Sequence, residues 1–287
     1  MAIGIVLALV AVLVAVVVAL SVHGSAVDAV VEAPLALRRE QVRWRRGGVV
    51  TGLAAAISCA AVGGLGVGIL LAAPLFGMFV IAGVCGGELR VTAPTSATSS
   101  ASVTIRPASL YLPRTLTRSV LGSSTVLAVI LVGTSLVGSR DDLGRQGSAL
   151  SLACGAMSST TGPWPGTYDT VPLAVLLVVG LALTVAAVRH VVDRARPGSS
   201  PGVTAADDQL RRLAAGTVVG AAGVLIAVTL LGTSLTAAGA LLRNTCSRGG
   251  WHVAGWTLLA STPLWLALLA VSCGAINAGM RRLTVDA

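Results

Sequence analysis

The sequence predicts an all-α, polytopic membrane protein of about seven transmembrane helices. Three observations carry the prediction. The chain is 55% apolar and only 11% charged, with a mean hydropathy of +0.89, whereas a soluble domain carries about 25% charged residues. The charges fall in clusters between uncharged runs of about 20 residues, the length that matches the hydrocarbon core of a bilayer. All twenty basic residues are arginines, and they stand at the ends of those runs, as membrane topology demands. A net charge of +9 ordinarily raises nucleic acid as a partner. This placement excludes nucleic acid and leaves the lipid bilayer, with a membrane-protein partner or a second copy beyond it. Arg-only, Ala/Val/Gly-rich usage points to a GC-rich bacterial genome.

Residues 1–287 read as a single membrane domain. The first span, 3–22, has no basic residue before it, so it lacks the n-region of a cleaved signal. It is read as retained, with the N-terminus outside. Asp28 and Glu32 follow at i,i+4, a wet face on a continuing helix. Arg38, Arg39, Arg43, Arg45 and Arg46 then stay inside. Gly47 to Gly87 holds no charge; as one helix it would measure roughly 60 Å. It must fold back, and Gly63-Gly64-Leu65-Gly66-Val67-Gly68 is the expected turn. Spans at 48–65 and 67–87 result, the second kinked at Pro74.

An inner linker at 88–118 is Ser/Thr-rich, with a hint of a strand in SASVTIR. The fourth span is 119–137, followed by a polar outer loop at 138–170. The fifth is 171–188, with Pro172 in its first turn. Arg189, Arg194, Arg196, Arg211 and Arg212 mark an inner loop. The sixth and seventh spans are 213–235 and 255–278, and the C-terminus is inside. This arrangement places sixteen arginines inside and leaves Arg140, Arg145, Arg243 and Arg248 outside.

Residues 126–136, VLAVILVGTSL, and 225–235, LIAVTLLGTSL, agree at seven of eleven positions. Each stretch lies toward the outer end of a span. Each is followed by an outer loop with one cysteine and a Gly/Trp element. The last four helices therefore read as two parallel hairpin repeats, roughly 118–194 and 212–282. Gly133, Thr134 and Ser135 in one copy and Gly232, Thr233 and Ser234 in the other are candidates for helix packing or for lining a pore. The hydroxyls can bond back to helix carbonyls, and the glycines can admit a close neighbour. Gly64/Gly68 and Gly216/Gly220 carry the same four-residue spacing.

Of five cysteines, Cys59, Cys85 and Cys273 fall within spans, where cysteine acts as a small apolar residue. Cys154 and Cys246 fall in outer loops, where a disulfide can persist; they are the expected pair. Trp164, Tyr168, Trp251 and Trp256 read as an outer aromatic belt, and Trp44 as an inner one. No spacing suggests a metal or cofactor, and none is expected. The spans contain no ionisable side chain, which argues against ion-coupled transport and intramembrane catalysis. The nearest carboxyls are Glu88 inside and Asp169 outside, and Asp169 is expected to cap the fifth helix.

The stretch Ala73 to Leu89, APLFGMFVIAGVCGGEL, with the Arg-rich linker and Tyr111-Leu112-Pro113-Arg114 after it, resembles a group of uncharacterised actinobacterial multi-spanning membrane proteins. The resemblance lies in hydrophobic layout across most of the chain. It implies a bacterial plasma-membrane location, with no activity and no functional residues to carry over. The expectation is a non-enzymatic helix-packing subunit or accessory component of a membrane complex. The alternative is a permease for a neutral or apolar solute. An enzyme acting on a lipid ranks below both, because no acid/base pair converges.

Overall fold

A computed structural model describes residues 32–62, 67–89, 108–194 and 201–281. The predicted span at 3–22, Asp28 and the strand hint in SASVTIR lie outside them. The described chain is mostly helical: α1 Glu32–Val62, α2 Val67–Leu89, a 3-10 turn at Ala108–Leu110, α3 Arg114–Val137, α4 Thr167–Asp193, α5 Pro201–Arg243, α6 Gly250–Ala260 and α7 Thr262–Arg281. Between α3 and α4 lie strands β1 Ser139–Arg140, β2 Gln146–Cys154 and β3 Met157–Thr161. They form an antiparallel sheet in the order β1-β2-β3.

Among the described residues five helical stretches are long and apolar enough to cross a membrane: Leu70–Leu89, Arg114–Val137, Thr167–Asp193, Asp207–Arg243 and Gly250–Asn277. Seven were expected. Of the other two, one lies outside the described residues. The other, 48–65, overlaps α1 as far as Val62, and the arginines of α1 lower its average apolarity below that of the five.

Helix α5 forms the axis. Helices α2, α3, α4 and the α6–α7 pair all pack on it, and α1 packs chiefly on α2. Within its apolar window 83% of α5 is buried, against 22% for α3 and 28% for α4. The core is correspondingly built of small and branched side chains from α5, including Ala221, Val224, Leu225, Ile226, Val228 and Leu230. Leu225 meets both Gly77 of α2 and Gly180 of α4, and Gly220 and Gly223 lie against Ser272 of α7. The small residues let backbones approach, the usual device where lipid removes the hydrophobic drive between helices. Of the two spacings singled out, Gly220 makes such an approach. Gly216 meets nothing closer than 4.0 Å, and Gly64 is not among the described residues.

Directions follow from these contacts. Gly48 faces Gly83, so α1 and α2 are antiparallel. Arg211 reaches the carbonyls of Val191 and Val192, while Gly180 meets Leu225, so α4 and α5 are antiparallel. Gly216 lies near Pro113 and Gly223 near Val120, so α3 runs parallel to α5. Helices α1, α3 and α5 point one way; α2, α4 and α6–α7 point the other.

At the α1/α2 crossing backbone meets backbone. A Cβ on Gly48 would stand 2.5 Å from the Phe79 carbonyl and 2.8 Å from Gly83 Cα. Gly48→Val is expected to destabilise the protein by about 1–3 kcal/mol. Thermal denaturation of purified protein in detergent measures it; Gly122→Val, where a Cβ meets nothing within 4 Å, is the neutral comparison.

Several boundaries differ from expectation. Helix α1 ends at Val62 and α2 begins at Val67, which brackets the predicted glycine turn. Helix α2 continues through Pro74. Helix α4 starts at Thr167, so Pro172 falls in its second turn rather than its first. Helix α5 starts at Pro201, twelve residues before the predicted 213, and absorbs half of the expected inner loop. The seventh span is interrupted at Ser261, just ahead of Pro263. Proline lacks the N–H that would bond the carbonyl of Leu259. The Thr262 hydroxyl donates to that carbonyl instead, at 2.8 Å, and the Ser261 hydroxyl donates to Leu258 O at 2.7 Å. The outer loop at 138–170, expected to be irregular, holds the sheet. Strand β2 buries Ala149 and Leu150, whereas β3 is polar apart from Met157, and glycines shape the turns.

Candidate functional site

The polar chemistry of the described chain gathers at the two ends of the bundle, one built on the sheet and the other on arginines.

At the sheet end, β2 and β3 are joined by Gly155-Ala156, with Gly155 at φ +69. A two-residue hairpin loop requires this left-handed conformation. Three glycines converge where α3 ends, β2 begins and α4 starts. A Cβ on Gly138 or Gly166 would run into Gly147, which is itself at φ +82. This junction folds the sheet back over the end of α5. The side chain of Asn244, just past α5, then ties the pieces together. Its amide donates to Ser159 O at 2.9 Å and to Thr161 Oγ1 at 3.2 Å, and its carbonyl accepts from Cys246 N–H at 3.0 Å. Beside it Cys154 and Cys246 form a disulfide, their Cα atoms 5.3 Å apart, within the usual range.

Trp164 was expected in an interfacial belt and is instead buried, at 2% exposure. It packs in a small second core with Leu150, Ala237, Ala240 and Leu241. Its indole N–H donates to Thr134 O at 2.8 Å, in the last turn of α3. That bond explains the burial. Tyr168, Trp251 and Trp256 are exposed, as a belt requires, and so is Trp44 at the other end. Arg145 stacks over the Tyr168 ring at 5.3 Å and pairs with Asp141. Partial burial pushes the Asp141 carboxyl up, but hydrogen bonds from Arg145 and from the Leu143 N–H outweigh it and hold it below the usual range.

Asp169 does not cap α4. The N-cap is Gly166, without a side-chain cap bond. Asp169 is the third helical residue, 3% exposed, and its Oδ1 has no hydrogen-bond partner.

The repeated residues are placed unequally. Thr134 and Thr233 are buried, and each hydroxyl donates within its own helix, to Leu131 O at 3.2 Å and to Thr229 O at 2.9 Å. The hydroxyls of Ser135 and Ser234 are buried without a partner. A Cβ on Gly133 or Gly232 would meet nothing within 4 Å. Among the described residues nothing approaches either glycine closely. The close approaches fall one to three turns away, where a neighbouring helix crosses. Arms α6–α7 of the second hairpin pack closely along α5, whereas α3 and α4 of the first meet mainly through α5.

At the arginine end Arg211 is 2% exposed. Its Nε bonds Asp207 at 2.7 Å, and its remaining donors reach Val191 O at 3.1 Å, Val192 O at 2.6 Å and Arg194 O at 2.6 Å. One guanidinium thus closes the C-terminus of α4, where the carbonyls lack partners and the helix dipole favours a cation. Glu88, 2% exposed, takes Arg45 of α1 at 3.0 Å. Tyr111 donates to Asp208 at 3.0 Å and anchors the 3-10 turn on α5. Burial, then the bond to Asp208, pushes the Tyr111 hydroxyl above its ordinary range. The arginines had been read only as topology markers. The spacing Asp207-x-x-x-Arg211 was the available sign of an ion pair on a helix.

Among the described residues no three His, Cys, Asp or Glu side chains come together as a metal site would need. Cys59, Cys85 and Cys273 carry free thiols, the last two buried. The fold and its two polar ends define a helical protein able to span a membrane, closed at one end by a covalently tied sheet. Comparison with protein families, with curated proteins and with solved structures finds no match for the chain.

Proposed function

We propose that the protein is a non-catalytic integral membrane subunit, a packing scaffold for other membrane helices in a bacterial plasma membrane. It spans the bilayer seven times, with the N-terminus and sheet end outside and the arginine end inside. The observation that carries the reading is the contrast between α5, 83% buried within its apolar window, and the exposed apolar faces of α3, α4 and α6–α7. An axial helix wrapped by others leaves its partners' outer faces for lipid and for neighbouring proteins. Alternating helix directions support the topology, and so do Arg43, Arg45, Arg46, Arg114, Arg118, Arg189, Arg194, Arg211 and Arg212, which lie toward helix ends that these directions put on one side. The disulfide supports placing the sheet on the oxidising side.

The permease alternative draws on Ser135 and Ser234, whose buried hydroxyls are unbonded, and on the open space beside Gly232. Against it, Thr134 and Thr233 bond their own helices, and α5 fills the axis. Extraction in mild detergent and affinity purification separates the two readings. The subunit reading predicts a stoichiometric membrane partner or a second copy. A lone monomer that moves a neutral solute into vesicles, and loses this with Ser234→Leu, would overturn it.

A further inference from the structure

Between α1 and α2, at the arginine end, lies a groove of about 520 Å³. Its floor is backbone: Gly48 and Gly83 touch, and Gly47 beside them carries no side chain. Arg43 and Trp44 stand at one end, and Phe79 lies toward the other. Arg43 and Arg46 are both exposed and have no acidic partner among the described residues, whereas Arg45 is taken by Glu88. Charge in this groove is therefore uncompensated. Phe79 precedes Glu88 by nine helical residues, roughly 14 Å along the axis, about the depth of one leaflet of hydrocarbon. A cation at the boundary, an interfacial tryptophan and an apolar channel one leaflet deep match an anionic headgroup with its acyl chain. A free anion would use only the first of these.

We propose that this groove binds an anionic phospholipid, with its phosphate on Arg43 and a chain lying over Gly47 toward Phe79. The inference rests on the membrane reading above. Two variants isolate it. Arg43→Gln removes the charge. Gly47→Leu fills the channel at a position where a Cβ meets nothing within 4 Å, so the helix crossing is left intact.

The test is native mass spectrometry of the full chain, released from micelles holding equimolar phosphatidylglycerol and phosphatidylcholine. Phosphatidylglycerol should be retained in preference. Arg43→Gln should cut its retention about fivefold, the effect of one arginine near an anionic surface, and Gly47→Leu should cut it comparably. Phosphatidylcholine retention should not change with Arg43→Gln. Equal retention of the two lipids, a preference that survives both variants, or displacement by inorganic phosphate would each overturn the proposal. Flotation with phosphatidylcholine liposomes is run beside it. Protein that floats but shows no lipid preference sinks this inference alone; protein that does not float sinks the membrane reading itself.

Discussion

Arg211→Met should destabilise the protein by about 3–5 kcal/mol, the cost of breaking a buried pair by removing one partner. The substitution nearly conserves volume, so packing loss contributes little. What it leaves is Asp207, 6% exposed, without its guanidinium, together with the three carbonyls at the end of α4 that Arg211 holds. A shift in the thermal midpoint of detergent-purified protein reads the effect. Asp207→Asn on the Arg211→Met background should recover part of the loss, because the buried negative charge is then gone. The α4 carbonyls remain unserved, so recovery stays incomplete. An Arg211→Met midpoint within error of the parent would mean that this guanidinium is only a solvated topology marker.

Cys154→Ser is the second large effect. The bridge joins residues 92 apart in sequence, and removing such a link from a folded domain costs about 2–4 kcal/mol. Because the sheet also hangs on Asn244, the loss should appear first as loosening of residues 139–161. Limited proteolysis should cut there in the variant and not in the parent. Cys246→Ser should behave identically, and the double variant should add nothing further, since either single change already opens the loop. Electrophoresis without reductant gives the direct check: the parent should change mobility on reduction and the variants should not.

Both effects show what the sequence discloses and what it hides. The apolar runs located the helices, because length in lipid is set by the bilayer and little else. The Cys154–Cys246 pair was legible because only two cysteines lay between spans on the expected outer side. The start of α5 was not. Asp207, Asp208, Arg211 and Arg212 look like a solvated loop until α4 brings its carbonyls to Arg211. The sheet was hidden because the apolar residues of QGSALSLAC do not strictly alternate and MSSTT is almost wholly polar, while the turns rest on Gly147 and Gly155. Trp164 was misplaced because an indole suits an interface and a small core equally well. Only the Thr134 carbonyl decides between them. The repeated Gly-Thr-Ser-Leu lies on two parallel helices, and the close glycine contacts fall elsewhere, where neighbouring helices cross.

The central claim is that the sheet and the buried arginine belong to opposite sides of a membrane. Labelling of introduced thiols in intact cells tests it most directly, on a background in which Cys59, Cys85 and Cys273 are replaced by serine. Leu143→Cys, in the exposed turn between β1 and β2, should react with an impermeant maleimide added outside. Arg212→Cys, exposed at the other end of α5, should react only after the membrane is opened. Reaction of Arg212→Cys in sealed cells, with Leu143→Cys protected, would contradict the account.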